Sequence, residues 1–248
     1  RYVWEKSVSR QEDLSMSTAA MNLNSNRASS FYDATIGKKA VMAVSGVVLF
    51  GFVVGHLVGN LQIYAGADKV NHYAKFLQSM PGVLWAVRIT LLLLLILHVW
   101  AAFQLWLLTR EARPVAYKKK SNPNSSYASR TMIWSGPIIG AFLIYHLLHF
   151  TFGTVLPNGL ARLENGDVNV YQNLIVGFSQ PLVTLFYVIA VSLLGVHLYH
   201  GLWSMFQSLG VSHPSYTPRF KQFAAAASIL ISAGNISIPL SVLAGFVR

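Results

Sequence analysis

Four histidines stand inside long apolar stretches, where an imidazole has two polar nitrogens and no water to satisfy them. His56 closes the run Ser45-Gly46-Val-Val-Leu-Phe-Gly-Phe-Val-Val-Gly55-His56. Ninety residues later the word returns, from Ser135-Gly136 to Tyr145-His146, and in both copies the histidine follows the glycine by ten residues. A second pair matches as well: His98 ends Leu-Leu-Leu-Ile-Leu-His98 and His197 ends Leu-Leu-Gly-Val-His197. A tryptophan follows each of these, Trp106 and Trp203, at different offsets. The order along the chain is A-B-A-B, with one histidine per stretch. A neutral imidazole is a good metal ligand. One such group would serve as a proton relay or an interhelical hydrogen bond, but four in a repeat suggest two metal-centred pairs. Zinc fits less well, because no stretch supplies three or four of its ligands. His149 and His200, one turn from His146 and His197, are alternative ligands. The repeat offset favours His146 and the leucine pattern favours His197, which leaves His149 and His200 beside the ligands. His72 and His213 fall in connections.

The elements that hold these histidines follow from composition. The chain has 248 residues, 54% hydrophobic and 11% charged, against the roughly 25% charged residues of a soluble domain. This composition implies an all-α polytopic membrane protein. Five apolar stretches approach the ~20 residues needed to cross ~30 Å of hydrocarbon. They are residues 39–61, 83–108, 131–155, 182–206 and 223–246, and the first four carry the histidines. Pro137 is expected near the first turns of the third span, where proline is tolerated. Gly46, Gly51, Gly55 and Gly59 recur every four or five residues, which lets a helix or a flat porphyrin approach. Residues 1–36 are a polar tail ahead of a membrane domain over 37–248. Cysteine is absent, which excludes thiolate metal sites and protein-ligated iron–sulfur clusters in this chain. The net charge of +11 reflects membrane topology rather than nucleic-acid binding. The tail and the 110–130 and 209–221 loops are basic, whereas 62–82 and 156–181 are less so. The positive-inside bias then puts the N-terminus in the cytoplasm and the C-terminus outside.

Depth can be counted at 1.5 Å per residue. His56 and His146 fall about 25 and about 24 Å from the cytoplasmic end, and His98 and His197 about 18 and about 17 Å. Axial ligands of one iron flank one plane. The depths therefore pair His56 with His146 toward the outside, and His98 with His197 toward the cytoplasm, as two bis-histidine haems would require.

These residues resemble the cytochrome b membrane anchor of dihaem succinate:quinone oxidoreductases and fumarate reductases of the single-anchor type. The matching words are Gly55-His56-Leu57-Val58 with Asn60, Leu97-His98, Ser135-Gly136 leading to His146, and His197-Leu-Tyr-His-Gly201-Leu202-Trp203-Ser204. The resemblance covers residues 37 to 248. It implies two b haems in a bundle of the first four helices and two partners, a flavoprotein with covalent FAD and an iron–sulfur subunit. Electrons would pass from the iron–sulfur subunit to the haem of His98 and His197. They would then reach the haem of His56 and His146 and reduce menaquinone, so the anchor is the quinone-reducing end of a succinate dehydrogenase, in the cell's inner membrane. Other readings are the dihaem anchor of another dehydrogenase, or a haem-free transporter with a histidine relay.

Two further expectations concern protons. No Asp or Glu falls inside the five apolar stretches, so a carboxylate route across the bilayer is not expected. Quinone reduction takes up two protons, and candidate groups at the outer end are His72, Tyr73 and Lys75 after the first span and Arg88 at the start of the second. The same residues would otherwise anchor the connection at the headgroups, as Tyr and Lys there commonly do.

Overall fold

A computed structural model describes residues 32–112 and 127–248. Most of the expected tail, and Arg113, Lys118, Lys119 and Lys120 of the basic loop, lie outside the described residues. The described chain is helical. Its helices are α1 (Thr35–Asn60), α2 (Ala67–Gln78), α3 (Pro81–Glu111), α4 (Tyr127–His146), α5 (Val170–Phe178), α6 (Pro181–Ser208) and α7 (Thr217–Leu243). Five of them, α1, α3, α4, α6 and α7, are long and apolar enough to cross a membrane. We call the end where α1 begins proximal and the other distal.

Local chemistry sets the helix ends. Proline stands at the first or second position of α3, α6 and α7, where its missing N–H costs nothing. At α7 this moves the start ahead of expectation. Pro218, Arg219 and Lys221 belong to its first turns rather than to a loop, because Pro218 is pre-set for a helix start. α1 runs on through a 3-10 turn, Leu61–Ala65, and stops at Gly66, whose φ of 98° favours glycine. α4 passes into a π-helical turn, Leu147–Thr151, in which the Phe152 N–H donates to the Leu147 carbonyl at 2.9 Å. The span therefore closes at Thr151, four residues before the expected end, at Gly153 with φ 69°. Pro137 lies ten residues into α4, inside the helix rather than at its first turns. It leaves the Ile133 carbonyl without its intrahelical donor.

The packing order defines the bundle. α1 packs on α3, α4 on α6, α1 on α6, and α7 on α6. The four histidine-bearing helices thus form a square in the order α3, α1, α6, α4. Its fourth side, α3 against α4, is not closely packed. α7 backs α6 from outside the square. One apolar core joins Leu57, Leu198, Leu202, Ala224 and Ile231. A second, near the distal end, joins Ile63, Leu174, Phe178, Tyr187 and Ile238. The most apolar windows of α3 and α4 are each only 6% buried. Their outward faces are the kind that lipid covers.

The distal surface is tied together by α2 and the short α5, which fall in the connections 62–82 and 156–181. The Asn71 side chain donates to Asn169 Oδ1 at 3.1 Å and accepts the Tyr171 N–H at 3.1 Å, while Asn169 Oδ1 accepts the Gln172 N–H at 3.0 Å. Asn169 is therefore the N-cap of α5, and Asn71 of α2 caps a second orphan N–H of the same helix. Asn71→Ala should lower stability by about 1–2 kcal/mol, read as thermal unfolding in detergent by circular dichroism. An unaltered melting curve contradicts this cap.

Candidate functional site

The histidine pairs meet across the diagonals of the square. His56 of α1 faces His146 of α4, with ring centroids 5.8 Å apart and planes at 87°. His98 of α3 faces His197 of α6, with centroids 6.4 Å apart and planes at 58°. Neither α1 with α4 nor α3 with α6 packs closely, so the rings reach across a gap their backbones leave open. Two metal–imidazole bonds of about 2 Å plus the half-widths of two rings bring the centroids to roughly 6 Å. Both pairs fall near that separation.

The proton of His98 is placed by its neighbours. Its Nδ1 lies 3.0 Å from the Met42 carbonyl and 3.2 Å from Ser45 Oγ. A carbonyl only accepts, so Nδ1 carries the proton in that bond. The Ser45 hydroxyl donates to the Val41 carbonyl at 2.7 Å, and is left to accept from His98. In the neutral ring Nε2 then holds the free lone pair, the arrangement of a metal-ligating histidine. Ser135 Oγ stands 3.5 Å from His197 Nδ1, repeating the relation more loosely. The recurring Ser-Gly word thus supports the proximal pair, although in the sequence its fixed offset is from the distal histidines. Gly46 is needed here as well: a Cβ at this position would sit 3.3 Å from the His98 ring.

The distal pair is held differently. His146 Nδ1 is 3.2 Å from the Tyr187 hydroxyl, and His149 Nδ1 is 3.0 Å from the same oxygen. The His56 ring stacks on Phe52 at 5.4 Å and has no hydrogen bond among the described residues. His149 is 1% exposed, and its Nε2 would lie 2.8 Å from a Cβ at Gly177. Walled in by α5, it does not face His56. His200 packs edge-on against Trp203 at 5.6 Å, and its buried Nδ1 has no hydrogen-bond partner among the described residues.

The four distal candidates do not converge. The Tyr73 ring packs where a Cβ on Gly59 would be, at 2.7 Å. The Lys75 ammonium pairs with Asp167 at 2.8 Å. Arg88 lies over the Trp85 ring at 5.2 Å, and His72 is exposed. The ammonium of Lys75 hydrogen-bonds Asp167 and holds its carboxyl below the usual carboxylate range. The small stability this brings is present above the unfolded carboxylate pKa and is lost as pH falls through the lowered folded value.

Tyr187 and Ser45 were missed in the sequence. The signal for Ser45 was its repeat with Ser135; Tyr187 gave none beyond lying ten residues before His197. No protein-family model matches the chain, and neither a curated protein nor a solved structure does.

Proposed function

We propose that this chain is the membrane anchor and electron carrier of a succinate:menaquinone oxidoreductase, binding two b haems between its histidine pairs. The observation that carries the reading is the facing of two imidazole pairs, one of them with its proton pinned on Nδ1 by a backbone carbonyl. The donor set fits a bis-histidine haem: soft-borderline nitrogen ligands, a held tautomer and an apolar surround. Gly51, Gly55, Gly136 and Gly140 add support, since a Cβ at each would meet nothing within 4 Å. Helix packing therefore does not account for them, whereas a flat macrocycle beside them would.

The haems would supply one-electron carriage, and the chain does the rest. His98 and His197 hold the proximal site, and His56 and His146 the distal one. The apolar helices exclude water from both. On the proposed orientation, with the N-terminus cytoplasmic and the C-terminus outside, the proximal end faces an iron–sulfur subunit and its flavoprotein partner. The distal end faces menaquinone. There His72 is exposed and Arg88 lies at the same end, while Lys75 and Tyr73 hold the surface together.

An absorption spectrum of the purified protein tests the reading. Reduced low-spin b bands and a pyridine haemochrome value of two haems per chain are expected. A chain without such bands is a histidine-relay transporter or another haem-free protein, and the proposal falls. Succinate-dependent reduction of those bands in the assembled complex separates this anchor from that of another dehydrogenase.

A further inference from the structure

Tyr187 is 5% exposed, in α6. Its ring is gripped edge-on by Phe142 at 5.1 Å and Phe178 at 4.9 Å. A phenol buried so deeply costs stability unless its hydroxyl is bonded. Both of its neighbours are imidazole Nδ1 atoms, of His146 and of His149. The hydroxyl has one proton and must therefore divide its roles, accepting from one ring and donating to the other.

The direction is set by the reading that His146 binds a haem, on which this inference rests. A neutral His146 bound through Nε2 keeps its proton on Nδ1 and donates it to the Tyr187 oxygen. The Tyr187 proton then goes to His149 Nδ1. His149 cannot turn away, because Gly177 and the Phe150 ring, 4.0 Å off, close its site. The π turn Leu147–Thr151 contains His149 and directly follows His146; such turns often mark functional positions. We propose that Tyr187, backed by His149, is a positioning residue that fixes the His146 tautomer and strengthens that ring as an electron donor.

The arrangement belongs to the distal pair alone. His98 is held by a carbonyl and a serine hydroxyl. The residue ten before His98 is Arg88, which lies over Trp85. The residue ten before His197 is Tyr187. The repeat breaks there, and one site acquires a polarised hydrogen-bond chain that the other lacks.

Redox titration of the visible spectrum tests this. In Tyr187→Phe the ring packing survives and the acceptor is lost, so ferric iron is less well stabilised. One of the two haems should shift to a more positive potential, with its ferric preference reduced at least tenfold, equal to about 59 mV for one electron. Its low-spin electron paramagnetic resonance signal should shift too, while the second haem is unmoved. Where Tyr187→Phe does not fold, His149→Phe carries the test: Tyr187 stays and its own acceptor is gone, so the same haem shifts the same way by less. Equal shifts of both haems, or no shift in either variant, overturn the inference while the haem reading stands. A wild-type protein with no low-spin haem overturns both.

Discussion

If the chain binds the two proposed haems, His98→Ala protein should carry one of them, and His197→Ala should lose the same one. His98 and His197 face each other at 6.4 Å across one diagonal, and His56 and His146 at 5.8 Å across the other. On that proposal, removing either ring of a pair takes away an axial ligand and leaves the other pair untouched. Disturbing a group behind a metal ligand already costs about 10–100-fold in affinity, so loss of the ligand itself should empty the site. Pyridine haemochrome analysis should fall from two haems toward one in each of the four single variants. Difference spectra should sort them into two classes, His98 with His197 and His56 with His146. Electron flow from succinate to quinone should drop by at least about tenfold in every case, while succinate oxidation by an artificial dye continues in the partner subunits. If the His56 and His98 variants lose the same spectral component, the diagonal pairing is wrong.

Gly195→Leu should have the largest effect on stability. Gly195 is buried where α6 meets α7, and a Cβ there would run into the Ser232 hydroxyl and come within 3.3 Å of the Ser232 Cβ. The Ser232 hydroxyl is buried, with no hydrogen-bond partner among the described residues, and the Ser228 carbonyl would stand 3.8 Å from the same Cβ. A leucine must therefore push the two helices apart. Overpacking of this kind costs about 1–3 kcal/mol. Because α6 carries both His197 and Tyr187, the proximal and distal sites should loosen together. Thermal denaturation in detergent should show a lower midpoint, and haem release should accelerate at both sites. Gly82→Ala is the control, since a Cβ there meets nothing within 4 Å; it should remain near the wild-type midpoint. A Gly195→Leu protein as stable as this control would show that the seam is looser than its distances indicate.

Much of the fold was legible because membrane spans write themselves plainly. Lys39 and Arg130 mark where apolar runs begin, and the fixed offset from Gly46 to His56 and from Gly136 to His146 makes depth countable. That counting grouped the histidines as the diagonals of the square do. The serine of the same repeated word was misread for a geometric reason. Ser45 lies eleven residues before His56, roughly 16 Å nearer the proximal end, and the packing of α1 on α3 sets it beside His98. α5 carried a readable signal, Asn169 ahead of an apolar run. The loop's Gly and Asn residues, with Pro157, obscured it. The π turn and the Tyr187 contact carried none, because both arise from how α4 settles against α5 and α6. The distal residues failed to converge because nearness in sequence does not decide where side chains point. Tyr73 turned to Gly59 and Lys75 to Asp167, across two different connections.

The A-B-A-B order, together with the two diagonals, has a consequence for how such a molecule can be made. α1 with α3 is one hairpin, and α4 with α6 is another running in the same sense. A rotation of half a turn about the membrane normal would carry the order of one onto that of the other, although α1 packs on α6 and α3 does not pack closely on α4. A two-fold dimer of a single hairpin would therefore place His56 opposite its own copy and His98 opposite its own copy, generating both pairs from two histidines. Joining two copies in one chain frees each to diverge. Tyr187 in one copy, where the other has Arg88, and α7 packed chiefly against α6 of the second hairpin are differences that an enforced symmetry would forbid.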